Sequence, residues 1–195
     1  MVNLFQPSAN DLKILFTGTV GAGKTTAIGA ISEKLALSTE VPMSEGATDS
    51  KNHTTVGFDY GECALADGCT LHLYGTPGQE RFRFMWDILA KGAFGLIVLA
   101  DHSRPDPVQD VIGYLNAFAG HFPPHRTVVG VGRLDPRGGV GNGVGIEHYV
   151  ERLAQAGFNV PVLETDVRKA EDVRLLLSVL VSMAEVGSDE DKPGA

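Results

Sequence analysis

The octet Gly18-Thr19-Val20-Gly21-Ala22-Gly23-Lys24-Thr25 leaves this 195-residue chain less freedom than any other feature. It follows Lys13-Ile14-Leu15-Phe16-Thr17, which reads as a buried strand, and precedes a segment whose apolar positions Ile28, Ile31 and Leu35 predict a helix. GxxxxGK[ST] between a strand and a helix makes a loop whose glycines let successive amides turn inward, with the positive end of the helix dipole behind them. Such a loop cradles phosphate. The candidate contacts are Gly18, Val20, Gly21, Ala22, Gly23, Lys24, Thr25 and Thr26, with Lys24 as a point charge on the outer phosphates and the Thr25 hydroxyl as a magnesium ligand.

The rest of the chain alternates strand-like and helix-like runs, the pattern of a sheet covered by helices on both faces. Strands are predicted at Leu12–Thr17, Gly57–Leu65, Thr70–Tyr74, Gly95–Ala100, Thr127–Val131 and Val160–Glu164, and helices at Lys24–Leu37, Met85–Lys91, Val108–Ala119, Ile146–Ala156 and Ala170–Ala184. An Asp67-Gly68 hairpin turn would set Cys63 opposite His72 and Ala66 opposite Cys69, leaving the two thiols unpaired and reduced. The expected architecture is therefore α/β, a six-stranded mixed sheet with one antiparallel strand. Residues 1–10 read as an N-terminal extension, 11–186 as one domain and 187–195 as a disordered acidic tail. Two longer irregular stretches, Ser38–Thr55 and the glycine-rich Arg133–Gly145, are expected to be loops.

A formal net charge of −8 argues against a nucleic-acid partner. Leu175–Ala184, the longest nearly apolar stretch, is too short to span a bilayer, and neither Val2 nor the closing Lys192-Pro193-Gly194-Ala195 fits a lipidation signal. A cytoplasmic protein with no direct membrane anchor is expected.

Two further motifs follow the phosphate loop, His53-Thr54-Thr55-Val56-Gly57-Phe58-Asp59 and Leu73-Tyr74-Gly75-Thr76-Pro77-Gly78-Gln79-Glu80-Arg81-Phe82. In order and spacing the three together resemble the Ras superfamily of P-loop NTPases, and in detail the bacterial small GTPases related to the gliding-polarity GTPase, over roughly residues 12 to 184. The resemblance implies a GTP/GDP switch with Mg2+ and slow hydrolysis. It casts Thr55 as the first-switch threonine that binds magnesium and senses the γ-phosphate, with Thr54 as runner-up. Gly78 becomes the glycine whose amide meets the γ-phosphate, and Gln79 the residue that orients attacking water beside Lys24 and Thr55. Gly75 stands where the family carries an aspartate, and Asp59 or a water would take that place. Arg81 and Arg83 are candidate catalytic arginines or plain surface residues.

Guanine recognition in that superfamily uses Asn-Lys-x-Asp, and here the matching residues are Gly132, Arg133, Leu134 and Asp135. Asp135 can accept from two adjacent N–H groups of guanine, the Arg133 stem can pack on the base plane, and Val167 stands where relatives present an amide to the base. The departures leave two rivals open: a nucleotide-loaded binding module with little hydrolysis, and an ATP-using P-loop enzyme. Phe82, Met85, Trp86 and Leu89 share one helical face, which leaves Phe84 and Ile88 beside Arg81 and Arg83 as an effector surface. The resemblance implies a roadblock-fold protein as partner there.

Overall fold

A computed structural model describes residues 11–43, 54–65, 68–134 and 145–190 of the chain. The elements run β1 (Leu12–Gly18), α1 (Lys24–Ile31), β2 (Lys34–Met43), β3 (Thr54–Ala64), β4 (Thr70–Gly75), α2 (Arg83–Ala90), β5 (Gly95–Asp101), α3 (Pro107–Phe118), β6 (Thr127–Gly132), α4 (Ile146–Gln155), β7 (Val162–Glu164) and α5 (Ala170–Glu190). They build one sheet in the order β2-β3-β4-β1-β5-β6-β7. Pairings are parallel from β4 to β7 and antiparallel on both sides of β3, so β3 alone runs against the others.

Side-chain alternation explains the two faces. Along β1, Leu15 points into one apolar cluster while Ile14 and Phe16 point into the other, and β5 divides Leu96, Val98 and Ala100 from Ile97 and Leu99 in the same way. The first cluster is covered by α2, α3 and α4 through Trp86, Leu115, Phe118 and Tyr149, and the second by α1 and α5 through Ile28, Ile31, Val173, Leu176 and Leu180. Strands buried on both faces read as continuous apolar runs, which is why β1, β5 and β6 stand out in the sequence.

The six expected strands are present in the expected order with one antiparallel member, and a seventh, β2, joins at the edge. The sequence alone predicts a helix to Leu37 and a loop from Ser38 over these residues. Leu35 satisfies a helical period from Ile28 and Ile31, but it also begins the alternation Leu35, Leu37, Thr39, Val41. The helix stops earlier: the Ser32 hydroxyl donates to the Ile28 carbonyl at 2.7 Å and the Ser32 backbone is extended at ψ 134°. Backbone pairing with β3 then organises Lys34–Met43.

The β3–β4 hairpin closes one residue differently from the expected turn. The Leu65 N–H donates to the Cys69 carbonyl at 2.9 Å and the Gly68 N–H to the Leu65 carbonyl at 3.1 Å. With Gly68 at φ 82°, this is a three-residue connection whose last position needs the left-handed region. Cys63 therefore faces Leu71, and His72 faces Glu62. Neither cysteine forms a disulfide among the described residues. Helix α5 runs on to Glu190, so Gly187–Glu190 are helical rather than tail, with Gly187 packed on the His125 ring. Residues 1–10, 191–195 and most of the two expected loops lie outside the described residues. No helix among the described residues is long and apolar enough to cross a membrane.

Candidate functional site: a phosphate loop at the carboxyl ends of the strands

Strand order β4-β1-β5 puts β1 where the chain's crossovers change side, and open sheets bind ligands at that place, outside the carboxyl ends of their strands. A pocket of about 840 Å3 lies there, within the usual size of small-ligand sites. Its lining joins the phosphate loop from Gly21 and the start of α1 to Asp101, Gly132, Arg133 and the turn from Glu164 to Lys169.

Gly23 opens α1 in left-handed geometry at φ 95°. The first amides of the helix, at Lys24, Thr25 and Thr26, have no intrahelical acceptor, so they remain free for an anion. The Lys24 ammonium lies under the loop and donates to the carbonyls of Gly18 and Thr19, each at 2.8 Å. Burial lowers its pKa to about 8, with the Asp59 charge opposing that shift.

Asp59 completes the cluster. Thr25 Oγ1 donates to Asp59 Oδ2 at 2.8 Å. Asp59 lies directly across the ladder from Gly75, and a Cβ at Gly75 would stand 2.9 Å from Asp59 Oδ2 and 3.0 Å from Asp59 Cβ. Gly75 thus leaves a space that a carboxylate from the neighbouring strand fills. Lys24, Thr25 and Asp59 together offer a cation, a hydroxyl and a carboxylate, a donor set that fits phosphate with a hard divalent cation.

The segment from Gly75 to Gly78 rests on the same loop. A Cβ at Gly78 would lie 2.7 Å from Val20 N and 2.9 Å from Lys24 Nζ. Thr76 N–H donates to the Phe16 carbonyl at 2.8 Å, and the buried hydroxyls of Thr17 and Thr76 are 2.8 Å apart. From the other side Trp86 Nε1 donates to Pro77 O at 2.9 Å and the Tyr114 hydroxyl to Gly78 O at 3.2 Å. Gln79 is exposed next to this anchored glycine. On α2, Met85, Trp86 and Leu89 are buried and Phe82 is partly buried, while Phe84 and Ile88 are 41% and 38% exposed. The helix is therefore two-faced, as its spacing predicts.

Thr55 is not brought to this cluster. It pairs with Pro42 inside β3, and Thr54 with Met43. Asp59 lies four residues along the strand from Thr55, about 13 Å at the usual rise.

On the pocket wall next to Gly23, the turn after β7 uses its amides economically. Thr165 N–H donates to Val131 O at 2.9 Å, Asp166 N–H to Asp172 Oδ2 at 2.8 Å, Arg168 N–H to Asp166 Oδ1 at 3.1 Å and Lys169 N–H to Asp166 O at 2.9 Å. The Val167 amide is left without a protein partner among the described residues, at the lip of the pocket. Arg133 turns its guanidinium to Asp101 and to the Gly21 carbonyl. Asp135 lies outside the described residues. Sequence reasoning missed Asp101, whose only signal is a carboxylate ending the apolar strand Gly95–Asp101.

Residues 36–121 match a family described as "Conserved hypothetical ATP binding protein". "Uncharacterized protein MJ1339" of Methanocaldococcus jannaschii is 34% identical over 95 residues, 49% of this chain and 54% of that protein. "Ras-related protein Rab-5B" of Plasmodium falciparum is 23% identical over 175 residues, 88% of this chain and 76% of that protein. "ADP-ribosylation factor-like protein 14" of Mus musculus is 28% identical over 104 residues, 53% of this chain and 47% of that protein. The chain thus spans about half the length of two of these three curated relatives. The Rab and ADP-ribosylation-factor-like matches concern the Ras superfamily at large, and none of the matches singles out the bacterial gliding-polarity branch. The chain has a P-loop fold of small-GTPase type, and it is similar both to Ras-superfamily proteins and, over a shorter span, to a family described as ATP-binding.

Proposed function

We propose that this chain is a Ras-like nucleotide switch that binds GTP with magnesium, hydrolyses it slowly to GDP and signals through its switch segments to a protein partner. The observation that carries the reading is Lys24 and Thr25 on the pocket wall, with Asp59 bonded to Thr25 and the unpartnered Val167 amide lining the same pocket.

In this reading the Lys24 ammonium and the free amides of α1 hold the outer phosphates. Thr25 and Asp59 hold magnesium, which when bound neutralises charge on the phosphates. Asp59 replaces the carboxylate that Gly75 lacks. Gln79 orients a water, and the anchored Gly78 offers its amide to the terminal phosphate. Thr55 serves the nucleotide only after β3 and its preceding segment rearrange, which is the kind of ordering that switch loops undergo. Arg133 and Val167 border the base, and Asp135 selects guanine. The exposed Phe84 and Ile88, beside Arg81 and Arg83, are the effector surface, and the finer resemblance to gliding-polarity GTPases suggests a roadblock-fold protein on it.

Lys24→Ala and Thr25→Ala are each expected to abolish or severely weaken magnesium-dependent nucleotide binding without unfolding the protein. A fluorescent-nucleotide titration giving wild-type affinity in either variant would refute the site. The matched family described as ATP-binding, together with Gly132 in place of asparagine, favours a second reading in which the base is chosen loosely and ATP is used. Chromatography of the nucleotide that copurifies with the protein separates the two. Multiple-turnover phosphate release separates a hydrolase from a binding module.

A further inference from the structure

Pro77 and Gly78 lie between two helices and the phosphate loop, and the helices hold them by their carbonyls. Trp86 Nε1 on α2 donates to Pro77 O at 2.9 Å, and the Tyr114 hydroxyl on α3 donates to Gly78 O at 3.2 Å. The two donors support each other. Their ring centroids are 5.1 Å apart, the indole also stacks on Phe118 at 5.6 Å, and the two residues are 6% and 8% exposed. Buried tryptophan and tyrosine each need an acceptor for their polar end, so packing of the rings fixes where the two carbonyls must stay.

The Pro77 carbonyl and the Gly78 N–H belong to one planar peptide unit, and the Gly78 carbonyl and the Gln79 N–H to the next. With no cis peptide bond among the described residues, each N–H points away from the carbonyl of its own unit. Holding the carbonyls toward α2 and α3 therefore turns the amides of Gly78 and Gln79 away from those helices. The phosphate loop stands against Gly78 as well, since a Cβ there would lie 2.7 Å from Val20 N, 2.9 Å from Lys24 Nζ and 3.0 Å from Thr19 C. Neither amide has a backbone acceptor among the described residues. Two successive donors beside an ammonium fit the oxygens of an anion. The root of the segment is fixed separately, by the Thr76 N–H on Phe16 O and by the buried pair of Thr17 and Thr76 hydroxyls, so removing one donor on a helix would loosen a peptide unit without freeing the segment.

We propose that Trp86 and Tyr114 are positioning residues: by holding the carbonyls of Pro77 and Gly78 they aim the amides of Gly78 and Gln79 at the terminal phosphate of a nucleoside triphosphate, and so set how well the chain tells triphosphate from diphosphate without touching either. This rests on reading the pocket as a nucleotide site.

The test is titration of wild-type protein, Trp86→Phe and Tyr114→Phe with GDP and with a non-hydrolysable GTP analogue at saturating magnesium. Phenylalanine keeps an aromatic ring at each position and removes the donor. Each variant is expected to bind the analogue about fivefold more weakly, as loss of one hydrogen bond implies, and to bind GDP as the wild type does, because a diphosphate has no terminal group for the two amides to lose. A merely structural role would weaken both nucleotides alike. Linkage requires the reverse effect: replacing GDP by the analogue should slow solvent exchange of the Trp86 indole proton about fivefold, and with one tryptophan in the chain that resonance has a single source. If Trp86→Phe does not fold, Tyr114→Phe and the exchange of the wild-type indole proton decide. Wild-type affinity for the analogue in either folded variant, equal losses for both nucleotides, or one exchange rate in both complexes would overturn the inference. The comparison is between triphosphate and diphosphate, so it is made with adenine nucleotides if those are the ones that bind. Wild-type protein that takes up nucleotides of neither base would instead overturn the reading on which it rests.

Discussion

Lys24 is 7% exposed, and its ammonium titrates at about 8 because burial disfavours its charge. Bound phosphates favour the charged form, so the pKa in the complex lies higher than in the free protein. Below about pH 8 the free amine is already protonated and binding takes up no proton. Above it the free amine is neutral, binding takes up a proton, and affinity falls as pH rises, by up to about tenfold per unit. Calorimetry at pH 9 in buffers of different ionisation enthalpy should report this uptake, and identical binding enthalpies would contradict it. Gly75 gives a second residue-scale prediction. In Gly75→Ala the new methyl would crowd Asp59 and, at 3.1 Å, Ile28 Cδ1, at a cost of about 1–3 kcal/mol in stability. Asp59 would be pushed off Thr25, so a magnesium titration of nucleotide binding should shift to higher metal concentration, and an unshifted curve would remove Asp59 from the metal site. Lys24, Thr25 and Gly78 can be named from the sequence because their motifs sit in short spans, whereas Val167 is named by its position alone, and the structure brings Lys24, Thr25 and Val167 to one pocket. Asp59 can be named from the sequence only with a water as its alternative, and the pairing of Asp101 with Arg133 not at all, because each depends on segments far apart in the chain becoming neighbours.

At the scale of elements, legibility followed apolar pattern. The buried strands β1, β5 and β6 and the two-faced α2 showed one dominant period each. Lys34–Met43 carried two, and the pairing partner β3, not local preference, decided between them. The hairpin register slipped by one residue because the count of turn residues sets it, and Gly68 fits a three-residue connection as readily as a two-residue one. The segment from Gly75 to Phe82 shows why a catalytic residue there can be tested cleanly. Its backbone is pinned by Phe16, Trp86 and Tyr114, while the Gln79 side chain stands exposed. Gln79→Leu is therefore expected to slow single-turnover hydrolysis at saturating magnesium and leave GTP affinity unchanged, since a residue acting on the attacking water contributes to the transition state and not to the ground state. Equal rates would exclude that role.

For the molecule as a whole, the sheet brings segments of different origin to one pocket, and in the proposed reading any base preference rests on the segment after β6. The end of β6 lacks the asparagine of the superfamily pattern, yet the chain keeps Asp135 three residues after Gly132. A carboxylate that accepts from two neighbouring N–H groups of guanine finds no such pair on adenine, so a preference for GTP over ATP should survive. It should be weaker than an intact motif gives, each lost buried hydrogen bond removing about 0.5–1.5 kcal/mol of discrimination. Because the Arg133 guanidinium is engaged by Asp101 and Gly21, it is not free to bond the base, and only its stem can add to the preference. Competition titrations of GTP, GDP, ATP and ADP against a fluorescent nucleotide measure the difference directly. Asp135→Ala should abolish it while leaving phosphate-dependent binding through Lys24 in place. Equal affinity for ATP and GTP in the wild-type protein would refute the guanine assignment and favour the looser reading that the matched family described as ATP-binding suggests.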